Sequence, residues 1–133
     1  MTKTQTLIIA EAGINHNGKI KNAYRLIDIA KNSGVDYVKF QIFDTKNFIN
    51  KNFANKRVNF KKVYNRFCNL EFTFKEWKTL ITYAKKKKIK IFFSVFDEQS
   101  LSLLKKLNIK LVKIPSGEIT NIALLKLINK FKF

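Results

Sequence analysis

Residues 35–43 read Val-Asp-Tyr-Val-Lys-Phe-Gln-Ile-Phe. The stretch is β-branched and aromatic, and too short for an ordinary helix. Residues 7–10 (Leu-Ile-Ile-Ala), 89–96 (Ile-Lys-Ile-Phe-Phe-Ser-Val-Phe) and 111–114 (Leu-Val-Lys-Ile) share that character. All four runs are near-continuous rather than strictly alternating. That is the pattern of strands buried on both faces of a parallel sheet.

Helical periodicity fills the intervals. Residues 20–33 place Ile20, Ala23, Ile27 and Ala30 on one face, and Gly34 follows as a stop. Residues 74–87 align Trp77, Leu80, Ile81 and Ala84. Their start is marked twice, by a Thr73–Glu76 capping box and by a Phe72–Trp77 hydrophobic staple. Residues 98–107 follow an Asp97 N-cap, with Leu101, Leu104 and Leu107 inward. Residues 121–131 turn Ile122, Leu125 and either Leu127 or Ile128 inward. Residues 44–72 break the rhythm with a long loop and a short helix near 58–69, where Phe60, Tyr64 and Phe67 have helical spacing. An excursion of that size after a strand usually serves function. The order β-α-β-insert-α-β-α-β-α predicts right-handed βαβ units, a parallel sheet and an α/β fold.

Composition narrows the classes. The 133 residues suffice for one domain of ordinary size, about 100–150 residues. An apolar share of 46% excludes a disordered basic tail. The single cysteine, Cys68, can form neither an internal disulfide nor a zinc site, and is expected to be inert in a reducing compartment. Glu11 interrupts the first apolar run, so no secretory signal is expected, and no run approaches the ~18 apolar residues of a membrane span. A soluble cytoplasmic protein is the expectation. The net charge of +18 would ordinarily suggest a polyanion partner. Here the basic residues are nearly all lysine, rising together with Asn, Ile and Phe, whose codons are rich in A and T. Base composition accounts for that charge better than selection for nucleic acid, which also exploits the arginine fork. The run Lys85–Lys88 reads as a solvated helix C-terminus.

Each apolar run carries polar residues at or near its end: Glu11, Lys39 with Gln41, Ser94 then Asp97, and Lys113 before Pro115-Ser116-Gly117-Glu118. Parallel α/β folds bind ligands outside the carboxyl ends of their strands. A lysine within a strand must meet an anion or escape to water. Lys39 and Lys113, with the Ser94 and Ser116 hydroxyls, therefore make a candidate phosphate or carboxylate clamp. Glu11, Gln41 and Glu118 can orient a polar substrate or move protons. Alternatives stand beside these readings. Lys39 can snorkel outward or pair with a carboxylate such as Glu11, Ser94 can be a packing residue, and Ser116-Gly117 can be a plain turn. His16, in Asn15-His16-Asn17-Gly18, reads as a turn residue, because no second histidine exists to share a metal.

Four ordered pieces carry a resemblance: IAEAGINHNG (9–18), VKFQIF (38–43), FFSVFDEQS (92–100) and VKIPSGEITN (112–121). With FTFKEWKTLITYAKKKKIK (72–90) between the second and third, the sequence resembles the sialic acid (N-acetylneuraminate) synthase family over nearly its whole length. The resemblance implies a TIM (β/α)8 barrel that condenses phosphoenolpyruvate with an N-acetylated sugar aldehyde, N-acetylmannosamine or a relative, with a divalent metal, Mn2+ or Mg2+. It implies phosphoenolpyruvate contacts at Lys39, Ser94, Lys113 and Ser116, a catalytic acid near the reacting carbons at Glu11, and a sugar-contacting acid at Glu118. Gln41 and Asn15 join them as further substrate-binding positions. Val95 stands where proline is common in the family, and Phe43 where some members have histidine.

A whole barrel needs about 250 residues. Four βα units therefore predict the N-terminal half of one, spanning 1–133. The family's metal-binding histidines and its small antifreeze-like domain would lie outside these residues, and a homodimer or a complementing C-terminal half would be the partner. Such a half is expected to be inactive alone. Legionaminate, pseudaminate and spore-coat polysaccharide synthases are sibling readings, and a non-enzymatic basic module binding a polyanion is the rival from another class. That rival gives no reason for lysines inside strands. Neither nucleic acid nor membrane is expected as a partner.

Overall fold

The computed structural model describes residues 6–49 and 59–133. Among these, four strands and six α-helices follow in the order β1 (Ile9–Gly13), α1 (Ile20–Asn32), β2 (Tyr37–Ile42), α2 (Thr45–Phe48), α3 (Phe60–Cys68), α4 (Phe74–Lys86), β3 (Lys90–Val95), α5 (Glu98–Lys106), β4 (Val112–Lys113) and α6 (Ile122–Phe131). Residues 50–58 of the expected long loop lie outside the described residues. No helix among them is long and apolar enough to cross a membrane.

The sheet runs β1-β2-β3-β4, and every pair is parallel. A doubly wound sheet would reverse its strand order and carry helices on both faces. Here the order is sequential and the main core lies on one face. Val38, Phe40 and Ile42 of β2 and Phe93 and Val95 of β3 are buried against α1 (Ala23, Ile27, Ala30), α4 (Trp77, Leu80, Ile81, Ala84), α5 (Leu101, Leu104) and Leu124 of α6. Burying each such side chain contributes about 1.5–3 kcal/mol, so this helix-facing layer carries most of the fold's stability.

The other face meets the expectation of burial on both sides only at β3, where Phe92 and Ser94 are buried. β2 alternates strictly, with Tyr37, Lys39 and Gln41 only half-buried. Among the described residues no second layer covers that face. β1 also starts later than the apolar run, at Ile9, and continues through Glu11 to Gly13. Glu11 is thus inside the strand, because its carboxylate finds Lys39 on the neighbouring strand.

The local signals act as expected. Thr73 and Glu76 form the capping box, the Thr73 N–H donating to Glu76 Oε2 at 2.8 Å and the Glu76 N–H to Thr73 Oγ1 at 3.3 Å. Phe72 and Trp77 pack edge-on with centroids 4.9 Å apart. Helix α4 ends where Lys88 turns left-handed at φ 57°, and Lys85, Lys86 and Lys88 are exposed. Lys87 is an exception to the solvated reading. Its Nζ pairs with Asp28 at 2.7 Å, joined by the Tyr83 hydroxyl, which donates to the same carboxylate at 2.9 Å. Lys87 and Tyr83 together hold the Asp28 carboxyl below its ordinary range and bind α4 to α1. Helix α6 keeps part of its expected face: Leu127 and Ile128 pack against the core, but Leu124 is the fully buried residue and Ile122 is 58% exposed, because the helix packs on α5 through the side of Leu124.

Candidate functional site

Strand register assembles the polar residues in two layers on the open face. Glu11, Lys39 and Phe92 are aligned across β1, β2 and β3. Two residues further along, Gln41, Ser94 and Lys113 are aligned across β2, β3 and β4. Residues two apart in a strand share a face. One face thus presents two lysines, a carboxylate, an amide and a hydroxyl, all from strands backed by the packed core.

In the lower layer Lys39 Nζ meets Glu11 Oε2 at 2.6 Å. Of the alternatives for Lys39, pairing with Glu11 is what the structure shows. The Lys39 side chain is 15% exposed and that of Glu11 50%, so the pair is open on one side. An ammonium has three donors and Glu11 accepts one of them, which leaves Lys39 chemically able to meet an anion as well.

Gly13 makes room for this pair. The β1–β2 register shifts between Glu11 and Gly13, and Gly13 has φ +52°. A Cβ there would sit 3.3 Å from Glu11 Oε1 and 3.6 Å from Gln41 Nε2. The glycine lets the backbone pass under two converging polar groups, and the bulge bends the strand beside them. Sequence reasoning passed over Gly13, although a glycine closing a strand just after an acid is a signal for such a kink.

Asp97 is the second residue whose role exceeds its reading. As expected it caps α5, with Oδ1 accepting from the Ser100 N–H at 2.7 Å. Its Oδ2 also accepts from the Asp44 N–H at 2.7 Å and from the Ser100 hydroxyl at 2.8 Å. One buried carboxylate thus fastens the exit of β2 to the exit of β3, directly beyond Gln41 and Ser94. Asp97→Asn keeps the shape and one acceptor but removes the charge from these bonds. It is expected to cost about 1–2 kcal/mol in urea unfolding, with earlier hydrogen exchange at the Asp44 amide. An unchanged Asp44 amide would show that the fastening does not matter.

Ser94 is 3% exposed at the floor of the upper layer. Lys113 stands beside it, half-buried. Ser116 and Glu118 lie beyond β4 in a single 3-10 turn, Ser116–Glu118. Ser116 is exposed, while Glu118 is half-buried and accepts from Asn121 Nδ2 at 2.8 Å. Asn121 also caps α6 through Leu124, so the helix start fixes the carboxylate. No contact joins Glu118 to the Glu11–Lys39 pair among the described residues. Asn15 stands apart too, exposed in the turn after β1 with its N–H donating to the Ala12 carbonyl.

His16 is a turn residue, as read, but a completely buried one. Its Nδ1 accepts from the Gly18 N–H at 3.1 Å, and its ring lies 4.4 Å from Phe72 and 6.3 Å from Trp77. Burial lowers its pKa to about 4. Among the described residues no three His, Cys, Asp or Glu side chains converge as metal ligands. The donor set here does not fit the divalent metal that the resemblance implies.

An aromatic cluster closes the same end of the sheet. Phe43 follows β2 and Phe96 follows β3, with centroids 6.3 Å apart; Phe48 of α2 packs on both, and Phe67 of α3 packs on Phe43 and Phe48. It anchors the two helices of the excursion beside the polar layers.

The chain is 46% identical to an N,N'-diacetyllegionaminic acid synthase of Campylobacter jejuni, over 95% of this chain and 40% of that protein. It is 33% identical to the human N-acetylneuraminate-9-phosphate synthase, over 86% of this chain and 33% of that protein. It superposes with a TM-score of 0.81 on the N-acetylneuraminic acid synthetase of Leptospira borgpetersenii at 34% identity, covering 94% of this chain and 41% of that one. The chain thus spans about two fifths of the length of these relatives or less. Residues 26–133 match the NeuB family model, and the chain belongs to the NeuB family.

Proposed function

We propose that this chain is the phosphoenolpyruvate-binding N-terminal half of a nonulosonic acid synthase barrel. The observation that carries the reading is the alignment of Lys39 and Lys113 on one open sheet face, two strands apart and one layer offset, with Ser94 between them. Phosphoenolpyruvate brings a phosphate and a carboxylate in one small molecule. Two ammonium groups and the buried Ser94 hydroxyl on strands, with the exposed Ser116 hydroxyl on the turn after β4, suit such an anion, and the strand positions would orient it. Lys39 and Lys113 bind the charge, Ser94 and Ser116 donate to phosphate or carboxylate oxygens, and Gln41 and Asn15 meet polar atoms of the substrates. The sequential parallel order, with helices on one face, supports a segment of a (β/α)8 wall, which four further strands must close.

The chemistry follows from these groups. The π electrons of phosphoenolpyruvate form a new bond from C3 to the aldehyde carbon of an open-chain N-acetylated sugar. The aldehyde oxygen takes a proton. Water adds at C2 and loses a proton, and the tetrahedral intermediate breaks its C2–O bond to phosphate, the C2 hydroxyl proton passing to the departing phosphate, to leave a ketone. On this reading Glu11, hydrogen-bonded to Lys39, and Glu118, held by Asn121, exchange those protons. Any divalent metal of the complete enzyme would take its ligands from outside this chain and would supply Lewis-acid chemistry. The half alone is inactive on this reading.

A second reading concerns the sugar. Identity to the legionaminic acid synthase, and the apolar cluster around Phe43 at the mouth, favour an acceptor with two acetamido groups over a phosphorylated one.

The test is titration of the 133-residue chain with phosphoenolpyruvate, followed by amide chemical shifts. Shifts are expected at Lys39, Ser94 and Lys113, with competition by inorganic phosphate. Lys39→Met and Lys113→Met are each expected to weaken binding about tenfold or more, the equivalent of one charge-assisted hydrogen bond. Shifts confined to other surface lysines, or binding by either variant as tight as that of the wild type, would overturn the reading.

A further inference from the structure

We propose that the groove between the turn of residues 14–18 and α3 is a second anion site, one that takes a monosaccharide carrying a phosphate or a carboxylate. The groove has a volume of about 490 Å³ and is lined by Asn17, Lys62, Asn65, Arg66, Asn69 and Leu70. That volume suits a small ligand. None of these residues belongs to the polar face of the sheet. Charge placement is the first observation. Codon composition accounts for abundant lysine, but the three arginines are not spread through the chain. Arg25, Arg57 and Arg66 all fall within residues 12–27 and 45–70, which contain no acid and supply the two walls of the groove. Lys62 and Arg66 stand four apart on one face of α3, a like-charge spacing that destabilises a helix. Neither has a carboxylate partner among the described residues, whereas Lys39 and Lys87 each have one.

Backbone packing fixes the shape of the groove. Gly18 lets the turn come so close to the C-cap of α3 that a Cβ would lie 1.9 Å from the Asn69 carbonyl oxygen. The turn is held from within by buried His16, whose Nδ1 accepts from the Gly18 N–H. The walls are therefore set before any ligand arrives, which lowers the cost of binding. The chemistry of the lining names the ligand class. Arg66 can meet a phosphate or carboxylate through two parallel hydrogen bonds, and Lys62 adds a compact charge. The side-chain amides of Asn17, Asn65 and Asn69 are unengaged among the described residues, and each offers donors and an acceptor to hydroxyl groups. Leu70, buried, gives the lining an apolar patch for the C–H face of a sugar ring. A bare ion has no use for three amides, and a neutral sugar has none for two cations.

The test is titration of the 133-residue chain, followed by side-chain amide NMR, with glucuronate, N-acetylglucosamine 6-phosphate, N-acetylglucosamine and inorganic phosphate in turn. Either anionic sugar, or both, is expected to shift the amides of Asn17, Asn65 and Asn69 and to bind about tenfold or more tightly than the neutral sugar or the bare ion. The tighter of the two anionic sugars identifies the anion as carboxylate or phosphate. Lys62→Gln and Arg66→Gln are each expected to weaken that binding about tenfold. Lys130→Gln removes the same charge from the exposed side of α6 and is expected to weaken it less than about twofold. Both groove cations are exposed, and far-UV circular dichroism checks folding. Arg66→Lys, which keeps the charge and loses the fork, replaces a variant that loses its helical spectrum and is expected to bind less tightly than wild type. These amides are distinct from the Lys39, Ser94 and Lys113 signals that report phosphoenolpyruvate, so either proposal can fail alone. Absence of shifts at the three asparagines, inorganic phosphate binding as tightly as the anionic sugars, or equal losses for Arg66→Gln and Lys130→Gln would each overturn the proposal.

Discussion

Gly18→Ala is expected to destabilise the fold by about 3 kcal/mol or more, a large share of the 5–15 kcal/mol typical of a domain. Two costs combine. Gly18 has φ +69°, where an L side chain costs roughly 1–3 kcal/mol. A Cβ there would also lie 1.9 Å from the carbonyl oxygen of Asn69. That atom is backbone at the C-cap of α3 and cannot swing aside like a side-chain tip. The turn of residues 14–18 must separate from the α3–α4 junction, and with it His16 leaves Phe72 and Trp77. Two glycines calibrate the effect. Gly34 shares the positive φ, at +72°, but nothing lies within 4 Å of its Cβ site, so Gly34→Ala reports the conformational cost alone, about 1 kcal/mol. Gly117 has neither constraint, and Gly117→Ala is expected to change stability by less than about 0.5 kcal/mol. Urea unfolding of the three variants measures the series. Equal losses for Gly18→Ala and Gly34→Ala would show that the Asn69 contact yields.

The strands and helices were legible because their signals are local. Thr73 and Glu76 are three residues apart, and their capping box needs no tertiary partner. Asp97 announces α5 in the same way. Burial was less legible, since it depends on what covers each face. The half-exposed face of β2 carries Tyr37, Lys39 and Gln41, and what covers such a face is decided by distant parts of the chain and not by these residues. Ile122 has the same difficulty, as the face of α6 that turns inward is set by where α5 lies.

The candidate site was legible where it lies in strands. Lys39, Gln41, Ser94 and Lys113 stand out as polar residues inside apolar runs, and parallel register then sets them side by side. What supports them was not. The Asp97 to Asp44 hydrogen bond spans 53 residues, and the place of Gly13 under Glu11 and Gln41 appears only once β1 and β2 are paired. These are long-range contacts through backbone groups, which residue type does not encode. Glu118 and Ser116, on a turn beyond the last strand, stay separate from the Glu11–Lys39 pair, as expected where an active site spans the loops of a whole barrel.

His16 gives the clearest pH dependence. It is the only histidine, so its titration can be followed without assignment. Its Nδ1 accepts from the Gly18 N–H, which places the proton of the neutral ring on Nε2, and Nε2 is buried among aromatic rings with no hydrogen-bond partner among the described residues. Charging the ring would put a proton on Nδ1, facing a donor, and a cation in an apolar box. The folded pKa is therefore lowered from 6.5 to about 4. The unfolded chain binds this proton first as pH falls, so the stability is full above pH 6.5 and is lost progressively down to about pH 4. At about 1.4 kcal/mol per unit, the loss reaches about 2 kcal/mol between pH 7 and 5, and about 3 kcal/mol by pH 4. Carboxylates titrate across the lower part of that range, so the quantity to compare is wild type against His16→Gln, whose amide oxygen can still accept from Gly18. The wild type is expected to lose about 2 kcal/mol more than the variant between pH 7 and 5. In the folded protein the His16 ring proton is expected to show no inflection near pH 6.5. An inflection there, or parallel pH curves for the two proteins, would mean that the turn opens and hydrates the ring. The turn follows directly on the strand that holds Glu11 and Gly13 and carries Asn15, so its protonation is the route by which acid would disturb the substrate face before the core.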